Sequence, residues 1–299
     1  MKKYLLFLLL ACTTYTAQIK TARITTPKEN NVTYDSLENF VGDKVNSLIG
    51  QTLYLPRRSE SLREYGYENF SDDFPVEKNN DFYDYDDIAD KYYKVENVTK
   101  TNWEYYKNMY ILQLRRVEDS EIFYYQYNAM YKHQFLFIVT GYYEKLKTIL
   151  ENKKFYIKKI PDDRNHDYVT GELINLDKKE LWTFQDLVIA DDYFNLCMVL
   201  KNQTGSQILV SYGVVDNAKY IIPEIQMKNI TDLYGDEYID LIVAEKVRIG
   251  MTKEMCRLAW GEPKNINRSA SELSNTEQWV YEDQYLYFRG NILESFQSY

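Results

Sequence analysis

The stretch from Val247 to Tyr299 constrains the fold more than any other part of the chain, because it spells out a bounded helix followed by closely spaced strands. Thr252 offers a hydroxyl to one of the orphan N–H groups of a first helical turn. Met251 before that cap and Cys256 four positions into the helix form the pair of a hydrophobic staple. Glu254 places negative charge at the positive helix end. Leu258 and Ala259 continue an apolar face, which Trp260 ends. Gly261 supplies the left-handed residue that a helix exit favours, and Pro263 forbids continuation. A polar loop is expected over 265–275, then strands over 278–281, 285–288 and 292–296, with Glu282-Asp283 and Arg289-Gly290-Asn291 as the turns. Upstream, the spacing of Tyr238, Leu241 and Ile242 predicts a helix over 235–244 leading into Val247. No Pro/Gly/Ser linker intervenes, so this C-terminal α+β module, 231–299, should be docked on its neighbour.

Three motifs here, Gly250-Met251-Thr252, Gly261-Glu262-Pro263 and Trp279-Val280-Tyr281, resemble the SmpA/OmlA family of small bacterial outer-membrane lipoproteins. The resemblance covers roughly a fifth of the chain and implies a shape that a β-lactamase inhibitor family also shares. What it implies of role is help with envelope assembly.

The other end reads as an export signal, 1–17. Met1-Lys-Lys is basic, Tyr4 to Ala11 is a short apolar core, and cleavage is expected between Ala17 and Gln18. A competing reading takes Leu9-Leu10-Ala11-Cys12 as a lipobox, making Cys12 a lipidated residue and the one route to membrane anchoring. The apolar run is too short to span a bilayer.

Between the ends lie two expected β-rich modules, 35–130 and 131–230, after an N-terminal linker, 18–34. Leu37, Val41, Val45 and Leu48 recur at helical spacing before Gly50, and Tyr143, Leu146, Ile149 and Leu150 do so before Asn152. Leu53-Tyr54-Leu55 then parallels Phe155-Tyr156-Ile157. Ile111-Leu-Gln-Leu-Arg115 with Ser120-Glu-Ile-Phe-Tyr124 parallels Met198-Val-Leu-Lys201 with Ser206-Gln-Ile-Leu-Val210, two hairpins of one pattern. The expected class is therefore α+β: two tandem β-rich modules with short helices, then a small helix–three-strand module.

The first module carries an insertion, 57–90, rich in Asp, Tyr and Asn. It lacks the Asp-x-Asp-x-Asp-Gly order of a calcium loop and reads as a solvated acidic loop, with Tyr83 and Tyr85 as candidate contact residues if it is ordered. Thirty tyrosines against eleven glycines and six prolines suit half-buried sheet faces and binding surfaces. A net charge of −9 argues against nucleic-acid binding. In 181–189, Trp182 is either a platform for stacking a ligand or a core residue sealing its module.

Catalysis has little support. His133, in an aromatic strand-like run, and His166, in a polar loop, form no His-x-x-x-His pair, and no nucleophile elbow, phosphate loop or dinucleotide fingerprint occurs. Cys197 and Cys256, the cysteines left after cleavage, either pair or remain buried thiols. The expectation is an exported protein without catalysis, cofactor or metal, binding a protein or glycan partner. The alternative is an exported hydrolase using a carboxylate or Cys-based site with no local signature.

Overall fold

The computed structural model describes residues 20–25, 34, 37–74, 83–102, 108–160, 165–190, 195–271 and 274–298. β1 (Thr21–Ala22) comes first, so part of the expected N-terminal linker is a strand. A 3-10 helix, Gly42–Leu48, leads into β2 (Thr52–Leu55). The helix expected from Leu37 onwards is shorter than its spacing suggested: Val45 and Leu48 are buried, but Leu37 is 60% exposed. After β2 come α1 (Glu60–Arg63), β3 (Phe70–Ser71) and α2 (Tyr85–Ile88). The described parts of the insertion are thus packed and not simply solvated, with Tyr67 and Phe70 fully buried in an aromatic core. Asp81 lies outside the described residues. β4 (Lys91–Lys100), β5 (Met109–Arg116) and β6 (Ile122–Asn128) follow as an antiparallel meander. β7 (Ile138–Val139) returns to pair with β2 and closes a sheet of order β3-β6-β5-β4-β2-β7.

The second sheet repeats this plan. α3 (Thr140–Leu150) follows β7 directly and leads into β8 (Lys154–Ile157), β9 (Leu181–Ala190), β10 (Asn195–Lys201) and β11 (Gln207–Ser211). β12 (Ile221–Pro223) returns to β8 as β7 does to β2, giving the order β11-β10-β9-β8-β12, with β1 on β9. The correspondence reaches single residues. Gly50 and Asn152 both have positive φ, 81° and 59°. Val95 donates to the Gln51 carbonyl and Phe184 to that of Lys153, both at 2.9 Å. Leu53 stands opposite Tyr93, and Phe155 opposite Trp182. The ladder to the next strand then skips Glu96 in one sheet and Gln185 in the other, a bulge at the same place. In the outer hairpin the expected alignment shifts by one: Phe123 pairs with Leu114 as Ile208 pairs with Leu200, so Ile208 corresponds to Phe123 and not to Ile122. The two sheets share one hydrophobic core.

The C-terminal part begins with a helix that the sequence pattern did not announce, α4 (Glu224–Tyr234). Its buried Met227 and Ile230 are masked in the pattern by exposed Ile225 and Leu233. α5 (Glu237–Val243) and α6 (Lys253–Trp260) follow as read. The expected polar loop is instead β13 (Asn265–Ser271), which pairs in register with β14 (Ser274–Val280). β15 (Gln284–Arg289) and β16 (Ile292–Ser298) complete a four-stranded antiparallel sheet, where three strands were expected. Apolar content conceals β13, since Ile266 is its one large apolar residue. Hairpin pairing with β14 settles its conformation.

β8 and β12 bind this part to the rest by sending alternate residues to different cores. Phe155, Ile157 and Ile221 face the shared core, while Tyr156 and Ile222 face a second cluster with Met227, Met255 and Trp279. Lys158, just beyond β8 and 2% exposed, sends its Nζ to the carbonyls of Ala218 (3.0 Å), Leu258 (2.9 Å) and Ala259 (2.6 Å), the last two in the final turn of α6. A cation at a helix C-terminus satisfies otherwise orphaned carbonyls and opposes the negative dipole end.

Candidate functional site

A concavity lies where the two repeated sheets meet, a groove of about 720 Å³. Its floor comes from residues 130–138, which cross from β6 to β7, together with Phe40 and Tyr142; Leu196 and Tyr212 form the opposite wall. The crossing segment is held by Asn39, whose amide donates to the Phe137 carbonyl (2.6 Å) and accepts from the Val139 N–H (2.8 Å). That clamp fixes the aromatic floor. Phe40 stacks on Tyr127 with centroids 5.4 Å apart, and Phe135 meets Tyr127 edge-on at 5.4 Å. At the lip, Met130 is 64% and Tyr131 49% exposed. Burial, with Tyr212, Tyr34 and Glu38 nearby, pushes the Tyr142 phenol up to about 12, and burial followed by Asp216 raises Tyr212. Both therefore stay neutral at physiological pH and offer O–H groups. An apolar, aromatic trough with a few polar groups binds by burying an apolar ligand surface.

His133 is at the groove as well, in a short 3-10 turn, Lys132–Gln134, and not in the strand-like run expected of it. His166 pairs by a β-bridge with Leu173, away from this lining. Among the described residues no three His, Cys, Asp or Glu side chains gather as a metal site would require. Cys197 and Cys256 are both buried and no disulfide joins them, which decides between the two readings in favour of buried thiols. They sit in separate clusters, and burial raises the Cys256 thiol to about 12, so it does not supply a thiolate. Cys12 lies outside the described residues.

The expected site residues separate. Trp182 is fully buried, packed opposite Phe155, with its indole nitrogen lacking a hydrogen-bond partner within the protein. It offers no face to a ligand, so its stacking role is withdrawn in favour of the core role. Tyr83 and Tyr85 come together at a second, smaller hollow of about 490 Å³ beside Arg63 and Tyr65. Both rings are half-buried. Tyr85 stacks on Tyr67 (6.2 Å) under the Arg63 guanidinium (5.0 Å), and Tyr83 packs on Phe70 (6.0 Å). The C-terminal motif residues are architectural. Gly250 and Gly261 have φ of 93° and 80°, and Thr252 accepts the Met255 N–H at 3.2 Å. Met251 and Trp279 are fully buried. Tyr281 donates its hydroxyl proton to the Gly261 carbonyl (3.0 Å) just ahead of Pro263. Reasoning on sequence missed the groove itself, because Phe40, residues 130–138 and Tyr212 are far apart in the chain. The one local signal was Met130-Tyr131-Lys132-His133, an apolar pair with no periodic partner.

Compared with protein-family models, curated proteins and solved structures, the chain matches none.

Proposed function

We propose that this protein is an exported, non-catalytic binding protein of the bacterial envelope, which takes an apolar segment of a protein partner into the groove between its repeated sheets. The observation that carries the reading is the lip of the groove, where Met130 and Tyr131 stand in water beside an aromatic trough. Large exposed apolar side chains at a concavity are typical of contact surfaces, and Met and Tyr are enriched in them. The signal-like N-terminus supports export, and the SmpA/OmlA-like motifs support an envelope setting and a part in envelope assembly.

Photo-crosslinking tests the reading. A benzoylphenylalanine at Met130 should yield one discrete crosslinked protein in envelope fractions, and the same probe at Val169, equally exposed but outside the groove, should not. Saturable binding to a glycan array that Phe40→Ala abolishes would transfer the groove to a glycan. Turnover lost on a single carboxylate or Cys substitution would overturn the non-catalytic reading in favour of a hydrolase.

A further inference from the structure

Each of the first two sheets is closed at the same edge. β2 is covered by β7 and β8 by β12, in both cases antiparallel, and in both cases the covering strand runs straight into an eleven-residue helix. The third sheet has the same order, with β13 in the place of β2 and β8: a first strand that follows a helix and pairs inward with the second. Ile266 opposite the buried Trp279 repeats Phe155 opposite Trp182. Among the described residues nothing pairs with the outer edge of β13, and Asn265, Asn267, Arg268 and Ser269 are exposed. An open strand edge is a template for another strand.

We propose that the outer edge of β13 receives an extended strand of a protein partner in antiparallel register, as β2 and β8 receive β7 and β12. This rests on the strand order and is independent of the groove. The edge also prescribes the incoming sequence. Ile266 and Arg268 lie on the core-side face, Ile266 with Trp279 and Arg268 with its guanidinium 3.3 Å from Glu277. Directly opposed side chains on one face lie close enough to pair. An antiparallel strand therefore sets an apolar residue beside Ile266 and, two residues earlier in its own sequence, an acidic one beside Arg268. The partner's motif is acidic–x–apolar, with β-branched residues between. Arg268 holds most of its side chain in water, 69% exposed, and so keeps capacity for a second carboxylate. The prescribed contacts are backbone hydrogen bonds with two side-chain pockets, the usual form of strand addition.

The test uses the full chain and a fluorescent peptide, acetyl-Thr-Glu-Thr-Val-Thr-Val-amide, followed by anisotropy. Saturable binding is expected, weakened about tenfold by Arg268→Ala and by a Glu-to-Lys change in the peptide, which corresponds to about 1.4 kcal/mol. On the unchanged protein, N-methylation along the peptide should abolish binding at every second residue only, since alternate amides face the edge. No binding at millimolar peptide, or N-methyl losses without that alternation, overturns the proposal. Concentration-dependent dimerisation that Arg268→Pro in β13 abolishes, with no binding of the peptide, would give the edge to a second copy, which also overturns it.

Discussion

Replacing Lys158 by Met removes a buried ammonium while keeping most of its stem, and the structure fixes what is lost. Three carbonyls, of Ala218, Leu258 and Ala259, would be left in a buried place without their donor. At roughly 2 kcal/mol for each unsatisfied group the loss is about 6 kcal/mol. The charge itself is costly, since burial drives the Lys158 ammonium down to about 8. Against an ordinary lysine near 10.4 that shift is worth about 3 kcal/mol, a penalty the variant escapes. The net expectation is destabilisation by about 3 kcal/mol at pH 7. The pH dependence carries the sign. Between about 8 and about 10 the unfolded chain binds more protons than the native one, so the stability of the unaltered protein rises with pH. Lys158→Met lacks that gain, so the gap should widen as pH rises from about 8 to about 10. Urea unfolding followed by tryptophan fluorescence at both pH values measures it. A gap below about 1 kcal/mol at pH 7, or one that narrows as pH rises, would contradict this role for Lys158.

Other expectations are simpler. Burial alone would raise the Asp186 carboxyl, but Lys147 (2.9 Å), the Leu187 amide (2.9 Å) and Arg23 (2.7 Å) outweigh it and hold it below the usual carboxylate range. Its contribution is present above the unfolded value and lost as pH falls through the depressed native one, so Asp186→Asn should flatten the acid limb of a stability–pH profile. Trp182→Ala should cost about 3–5 kcal/mol by cavity formation, whereas Trp182→Phe should cost far less, because the indole nitrogen makes no hydrogen bond; chemical denaturation ranks the two. Asn152→Gly should stabilise by a few tenths to about 1 kcal/mol, giving the second repeat the left-handed glycine the first has at Gly50. At Gly66 a Cβ would meet the Tyr83 carbonyl oxygen at 2.0 Å with φ at +50°, so Gly66→Ala should lower the melting temperature and the Tyr67–Tyr83 bridge should lose amide protection first.

Much of the fold was legible where local chemistry is decisive. Thr252, Gly261 and Pro263 bound their helix as capping rules require, and Asn152 stopped α3 in a left-handed conformation. The parallel between residues 48–55 and 150–157 located a repeat that register and bulge position bear out. What failed is where tertiary pairing overrides composition. β13 is polar along most of its length and is made a strand by β14, and α4 hides its buried face behind exposed Ile225 and Leu233. The groove was least legible of all, since its walls are assembled from distant segments by the docking of the two sheets.

The way each sheet is closed sets the order in which the molecule can complete itself. A nascent chain that has released β2 through β6 still lacks the strand that shields β2, and that strand arrives only with the first residues of the next repeat, immediately ahead of α3. The second sheet in turn waits for β12, which comes with α4. The first sheet is therefore complete only once the second repeat has begun, and truncation between repeats strips a strand from the piece left behind. A cut before Ile138 would leave the first sheet with an open edge on β2, prone to borrow its missing strand from another molecule.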